Sequence, residues 1–535
     1  MAWSKLLNIH SLSTGEGAGG EALQKIVFID ILNFRNRMKK LILYTLFTGT
    51  LLTSCKDDFL TIVPETQLSS AIFFTKEADF QQAVNAAYVP LRTIFNDRAW
   101  LLSEMHSDNT YYARNPLFGA TEQQEDLADF ALPTANGVTS NTHVLNQYRQ
   151  DYLLISRANQ VLATIDNVDF AAESKNNLKG QALFLRAFAY FELVRYFQKV
   201  PLHLTPVANR EEAALPLASE EELYNQIIKD ATEAATLLLP KSKQEAGRAT
   251  SGAARTLLAN VYIVQKKWAE AETVLREVVN SNEYALIPNY ADVFSTSTGN
   301  KNNKESVFEV QFLEGSAGLN GNFIYQFMPR DITAAELGAI TGVSNPQPLS
   351  GEGNNIPTPD IIAAYEPGDT RKEASIGYVT LSGGPRAKEA YPYIKKYAKT
   401  HALFNNTGTN WPVYRYSEVL LFLAEALNEQ GKSGEAATFL NQVRTRAGLG
   451  EATGDLWEAI YQERRVELAF ENKRWFDLVR TGRAIETITA YGSRIKANPQ
   501  AYYYPNDRSP RGHAFSNITL YYPLPADEAA LSPYF

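Results

Sequence analysis

Cysteine is almost missing from this chain: Cys55 stands alone in 535 residues. No intramolecular disulfide can form, so the fold rests on packing and polar pairing alone. Methionine is scarce as well, with four residues. The six histidines, at 10, 106, 143, 203, 401 and 513, nowhere take metal-ligand spacing, and H-E-x-x-H is absent. That pattern argues against a zinc site of either the structural or the catalytic kind. G-x-S-x-G is absent too, which removes the nucleophile elbow of the α/β hydrolases. Positive charge is outnumbered. The net charge is −8, and it becomes −11 beyond residue 54 once six basic and three acidic residues are set aside. Nucleic acid is therefore not expected as a partner. Two fragments of phosphate-binding motifs fail on context. Gly15, Gly17 and Gly20 follow no strand, and Gly431-Lys432-Ser433 lies in a helix–helix turn.

The one cysteine is placed with purpose. Met38-Lys39-Lys40 opens a basic start, Leu41–Thr53 is an apolar run, and Leu52-Thr53-Ser54-Cys55 closes it. The run is too short to cross a bilayer, which takes about 20 apolar residues. The layout is that of a secretory signal, and its end resembles a lipobox. The expectation is a signal peptide over 38–54, lipidation at Cys55, and a translation start at Met38 that leaves 1–37 as upstream sequence.

What is abundant points to a large core. Apolar residues make up 45% and charged residues 21%, with 28 Tyr and 27 Phe. Apolar spacing predicts helices from Thr75 past Asp79–Tyr88, disturbed at Pro90, then over about 144–165, 175–198 and 220–239. The third is apolar nearly all round, which predicts burial on several sides. A repeat follows at an offset of 165: Ala259/Ala424, Glu270/Glu435, Ala271/Ala436 and Leu275/Leu440 coincide. Small residues twelve apart on successive helices fit a tetratricopeptide-like pair. Between the two copies, about 287–411 is rich in Gly, Asn, Thr, Pro and Tyr, with one strand-like stretch at Ser306–Phe312. Long irregular segments on a rigid scaffold tend to carry binding. The fold expected is mainly α: a tetratricopeptide-like helical-repeat scaffold over about 70–286 and 412–485, with a loop-rich subdomain at 287–411. Glu463, Glu467 and Glu471 sit beside Arg464 and Arg465. They fit ion pairing along a helix, or else a carboxylate pair for glycoside hydrolysis.

Several blocks run in order along the chain: Cys55-Lys56-Asp57-Asp58-Phe59-Leu60, Leu185-Arg186-Ala187, Pro357-Thr358-Pro359-Asp360 and Gly368-Asp369-Thr370-Arg371. Arg415-Tyr416-Ser417-Glu418, Val443-Arg444-Thr445-Arg446-Ala447-Gly448, Glu463–Glu471 and Tyr522-Pro523-Leu524-Pro525 complete the set. Together they resemble the SusD/RagB family of outer-membrane nutrient-binding lipoproteins. The resemblance implies four tetratricopeptide-like pairs and a binding role without catalysis or cofactor. It implies a cell-surface, lipid-anchored protein that hands oligosaccharide, or in some members peptide, to a SusC-type TonB-dependent transporter. It also implies that Arg186, Arg415, Glu418 and Arg464 pair within the fold. No family motif transfers the ligand contacts. Residue chemistry nominates Asp108, Asn109, Tyr111 and Tyr112 on a polar loop, and Asn320, Asn322, Tyr325 and Arg330 in the irregular region. Trp100 and Trp411 are rival stackers expected in the core.

Overall fold

A proline shapes the first helix. α1 (Glu77–Thr93) contains Pro90, which has no N–H to give to the Ala86 carbonyl. Arg157 Nη1 donates to that carbonyl instead, at 2.7 Å. The helix passes through Pro90 and then widens into one π-helical turn, Ile94–Arg98. At its start the N-cap is Lys76 rather than Thr75. Asp79 Oδ2 accepts from the backbone N–H of both residues and from the Thr75 hydroxyl.

The computed structural model describes residues 73–113, 123–296, 301–349, 353–384, 386–505 and 508–534. The expected upstream segment, signal peptide and lipidated Cys55 lie outside them. Seven helices follow α1 in the stack. α2 (Thr142–Thr164) is capped by Asn141. α3 (Ala172–Phe197) precedes α4 (Glu220–Leu237), which opens on a Ser219–Glu222 capping box. Thr250 caps α5 (Ser251–Val264), and α6 (Trp268–Asn280) follows after a tight turn. α7 (Tyr416–Glu429) and α8 (Ser433–Arg446) form the last pair. Each helix packs on the next in chain order, which makes four helix pairs in a row. α6 packs on α7 even though residues 281–415 separate them in sequence.

Side-chain size explains the close spacing. Ala259, Ala271, Ala424 and Ala436 are all completely buried, as are Leu275 and Leu440. The repeat at offset 165 is real, and it extends to the turns. Gly431 takes φ +75° between α7 and α8, while Lys266 takes φ +57° at the same place between α5 and α6. Glycine reaches that region freely and lysine does not. In α3 every residue from Gly180 to Val194 is buried, because α1, α2 and α4 all pack on it. Its one cation there, Arg186, forks onto Asp230 at 2.7 and 2.8 Å.

Residues 281–415 are partly regular. Strand β1 (Ser306–Val310) pairs antiparallel with β4 (Trp411–Arg415), which runs straight into α7. β2 (Ile376–Thr380) and β3 (Ala390–Ile394) form a hairpin. Beyond the stack lie α9 (Leu456–Glu467), α10 (Arg474–Arg480) and α11 (Ala484–Ala497). The insertion is fastened to α9 by buried ions. Arg371 is fully buried and holds Asp369, Glu463 and Glu467. Arg415 holds Glu305, Glu467 and Glu471, Arg446 adds Glu305 and Glu467, and Lys396 adds Glu471. The acidic residues of α9 therefore do pair, but across elements rather than along the helix. Arg464 goes to Asp477 and Glu418.

Candidate functional site

Six of the eight nominated residues are inside the protein, four of them on one segment. Ser103–Ala113 is buried throughout, so the segment expected as a polar surface loop is an internal strap. Asp108 lies between Arg474, at 2.7 Å, and Arg465. Burial alone would raise its carboxyl, but the two guanidiniums hold it well below the usual carboxylate range. Asn109 donates to Glu104 and accepts from Arg465 Nε, each at 3.0 Å. The Tyr111 and Tyr112 hydroxyls both donate to the buried Asp129 carboxylate, and both meet Tyr504. Burial pushes these phenols well up. The correction has a physical reason. Arg465, Arg474 and Tyr504 come from segments hundreds of residues away, which no local pattern reveals.

Arg330 is buried as well, with Nε donating to Ala113 O at 3.1 Å. Gly353 lies at this crossing with φ +99°, and a Cβ there would come within 3.1 Å of Ala113 and Arg330. Trp100 and Trp411 are core residues, 2% and 0% exposed.

Asn320, Asn322 and Tyr325 do come together, at the rim where the insertion meets the π-helical turn. Asn96, on that turn, accepts from the Asn322 and Phe323 N–H groups at 2.7 and 3.1 Å. Its amide donates to Asn322 Oδ1 and Asp97 Oδ1, both at 2.7 Å. Burial pushes the Asp97 carboxyl up, against the pull of Arg98. One turn of π-helix aims these side chains sideways, a geometry often found at functional sites. Asn320 Nδ2 reaches Asn405 O at 3.5 Å. Asn406 exchanges two hydrogen bonds of 2.9 Å with the Gly315 backbone. Glu314 Oε1 accepts from the Ala402 and Leu403 N–H groups at 2.8 and 2.7 Å.

Tyr325 is a supporting member of this rim. Its ring is buried, burial pushes its phenol up to about 12, and its hydroxyl donates to His401 Nε2 at 2.6 Å. His401 Nδ1 donates in turn to Lys399 O at 2.8 Å, which fixes the ring. Edge-on to Tyr325, at 5.1 Å and 81°, stands the half-buried Phe404. Its chain neighbour Leu403 is 47% exposed, and Leu313, next to the Glu314 that accepts from Ala402 and Leu403, is 56% exposed. The result is an apolar island ringed by amides and carboxylates. A pyranose has the same split character, with a C–H face and a hydroxyl edge. Sequence reading missed Phe404, Leu403 and Asn96. The available signal was Leu403-Phe404 directly before Asn405-Asn406, large apolar residues beside a turn pair.

Two family models match the chain. One, described as the SusD family, covers residues 368–534. The other, described as starch-binding associating with outer membrane, covers 58–263. The chain belongs to the SusD/RagB family. Curated relatives of this SusD-family chain include SusD-like protein P2 of Formosa agariphila. It is 26% identical over 501 residues, covering 86% of this chain and 92% of that one. A SusD-like protein of Bacteroides ovatus is 26% identical over 481 residues, covering 83% and 82%. Among solved structures, a laminarin-binding SusD-like protein matches with a TM-score of 0.66 and 26% identity, covering 82% of this chain and all of the other. A SusD homolog from Bacteroides thetaiotaomicron matches with a TM-score of 0.71 at 21% identity, covering 88% and 98%. The helical-repeat architecture is thus that of the SusD superfamily.

Proposed function

We propose that this SusD-family protein is a glycan-capturing lipoprotein of the outer membrane, held by acyl chains on Cys55 and working beside a TonB-dependent transporter. The observation that carries the reading is the likeness, over 82% of this chain and all of the other, to a laminarin-binding SusD-like protein. The rim around Phe404, Asn320 and Asn322 supports it, because an apolar platform with amide neighbours suits a sugar. Catalysis forms no part of the reading. Glu463, Glu467 and Glu471, the carboxylates a hydrolase would need, each lie on buried cations. A buried, charge-paired carboxylate is a poor proton donor.

The test is a polysaccharide and peptide panel, read for binding and for new reducing ends in the same wells. Retention of at least one glycan, with Phe404→Ala weakening it about tenfold or more and no release of reducing ends, is the expected result. A loss of tenfold corresponds to roughly 1.4 kcal/mol, the scale of one aromatic contact. Release of reducing ends that stops on changing one carboxylate would make the protein an enzyme.

A further inference from the structure

A second concavity lies away from the insertion. It is a cleft of about 730 Å³ between the C-terminal end of α3, the segment 130–137 and the segment 513–524. None of the described residues of 287–411 lines it. Its volume falls in the range of small-molecule sites, roughly 300–1,000 Å³.

The floor is aromatic and rigid. Phe130 stacks on the His106 ring at 3.9 Å, and Trp475 and Tyr522 brace that ring at 4.6 and 5.0 Å. His106 Nδ1 donates to Leu127 O at 2.6 Å. Burial holds the imidazole neutral, with its pKa down at about 3. Nε2 is therefore a bare lone pair, an acceptor for a hydroxyl.

The rim is uncommitted. The side chains of Lys199, His513, Asn517 and Tyr521 line the cleft. Among the described residues, none of them has an internal hydrogen-bond partner. Lys199, His513 and Asn517 are exposed, and the Tyr521 ring is half-buried. Among the described residues the lining contains no Asp or Glu, in a chain whose net charge is −8. Glu220 stands just behind it, accepting from Gln198 at 3.3 Å and acting on the Tyr521 phenol; the lysine at the mouth is the charge the lining itself presents, and it favours an anion.

We propose that this cleft is a second carbohydrate subsite, selective for an acidic sugar. The ring would pack on Tyr521, a hydroxyl would donate to His106, and the sugar carboxylate would meet Lys199. The proposal rests on the glycan-binding reading but uses different residues from the Phe404 rim.

The probes are a galacturonate trisaccharide and its methyl ester, titrated calorimetrically into the wild-type chain, Tyr521→Ala, Lys199→Gln and Phe404→Ala. The acid should bind at least threefold tighter than the ester. Tyr521→Ala should weaken it tenfold or more, Lys199→Gln should weaken it about threefold and remove the preference over the ester, and Phe404→Ala should leave it unchanged. Lys199 is exposed, so that variant keeps the fold whatever Tyr521 does. An acid that fails to bind, or that binds equally to Lys199→Gln and to wild type, overturns the proposal. Polysaccharide capture lost in Phe404→Ala would still stand in that case. A chain that binds no sugar at either place overturns the wider reading along with this one.

Discussion

α3 buries fifteen consecutive residues, Gly180–Val194, mostly against other side chains of carbon and hydrogen. Some distance along the chain, the insertion meets α9 through Arg371, Arg415, Arg446, Lys396 and five carboxylates, nearly all out of water. The stack tolerates variation as long as volume is kept. The junction does not, because each ion there is stable only while its partners remain. Apolar packing suits a repeated unit, which needs the same contact several times over. Buried ions suit a seam that must form in one register, since a slip would strand a charge.

The largest effect should come from opening the seam. Glu467→Ala leaves Arg371, Arg415 and Arg446 short of a partner and should cost about 3–5 kcal/mol in urea unfolding. A loss below about 1 kcal/mol would rank the seam with ordinary surface pairs. Overfilling the stack comes next. Ala424→Leu, at a completely buried position, should cost about 1–3 kcal/mol by denaturation.

Acid should distinguish the regions further. Burial alone would raise the Asp477 carboxyl, but Arg464 and Arg480 hold it down at about 2. A folded pKa below the unfolded one gives stability that is full above about pH 4 and is lost as pH falls through 2. Asp477→Asn should flatten that part of the stability–pH curve by about 2 kcal/mol. A curve with unchanged slope would show that the pairing is not felt. The smallest effect should be a gain. Lys266→Gly relieves a left-handed lysine at the turn where the second copy has Gly431, and should raise stability by up to about 1 kcal/mol.

The two regions were unequally legible. Helix periodicity, capping residues and the offset of 165 are local signals, and the stack follows from them. Even the all-round burial of α3 could be read from its composition. The seam joins Arg371 to Glu463 and Glu305 to Arg446, pairs separated by scores of residues. Its ions were visible in the sequence, but their partners were not: Glu463 and Glu467 meet Arg371, not Arg464. The same limit misplaced Asp108 and Tyr111, which looked like solvent-facing polar residues and proved to be satisfied inside. Asn320 and Asn322 are partly exposed, as their turn chemistry leads one to expect. The π-helical turn opposite them has no sequence signature beyond the proline four residues before it.

The contact between α6 and α7 also sets a timetable. Residues 281–415 must be synthesised after α6 is complete and before α7 begins. At about 5–20 residues per second, that is a gap of roughly 7–30 seconds. Throughout it, α6 lacks the helix it will pack against. On the export route proposed above the chain has to stay unfolded across that interval, and the contact closes only once the whole chain has been delivered.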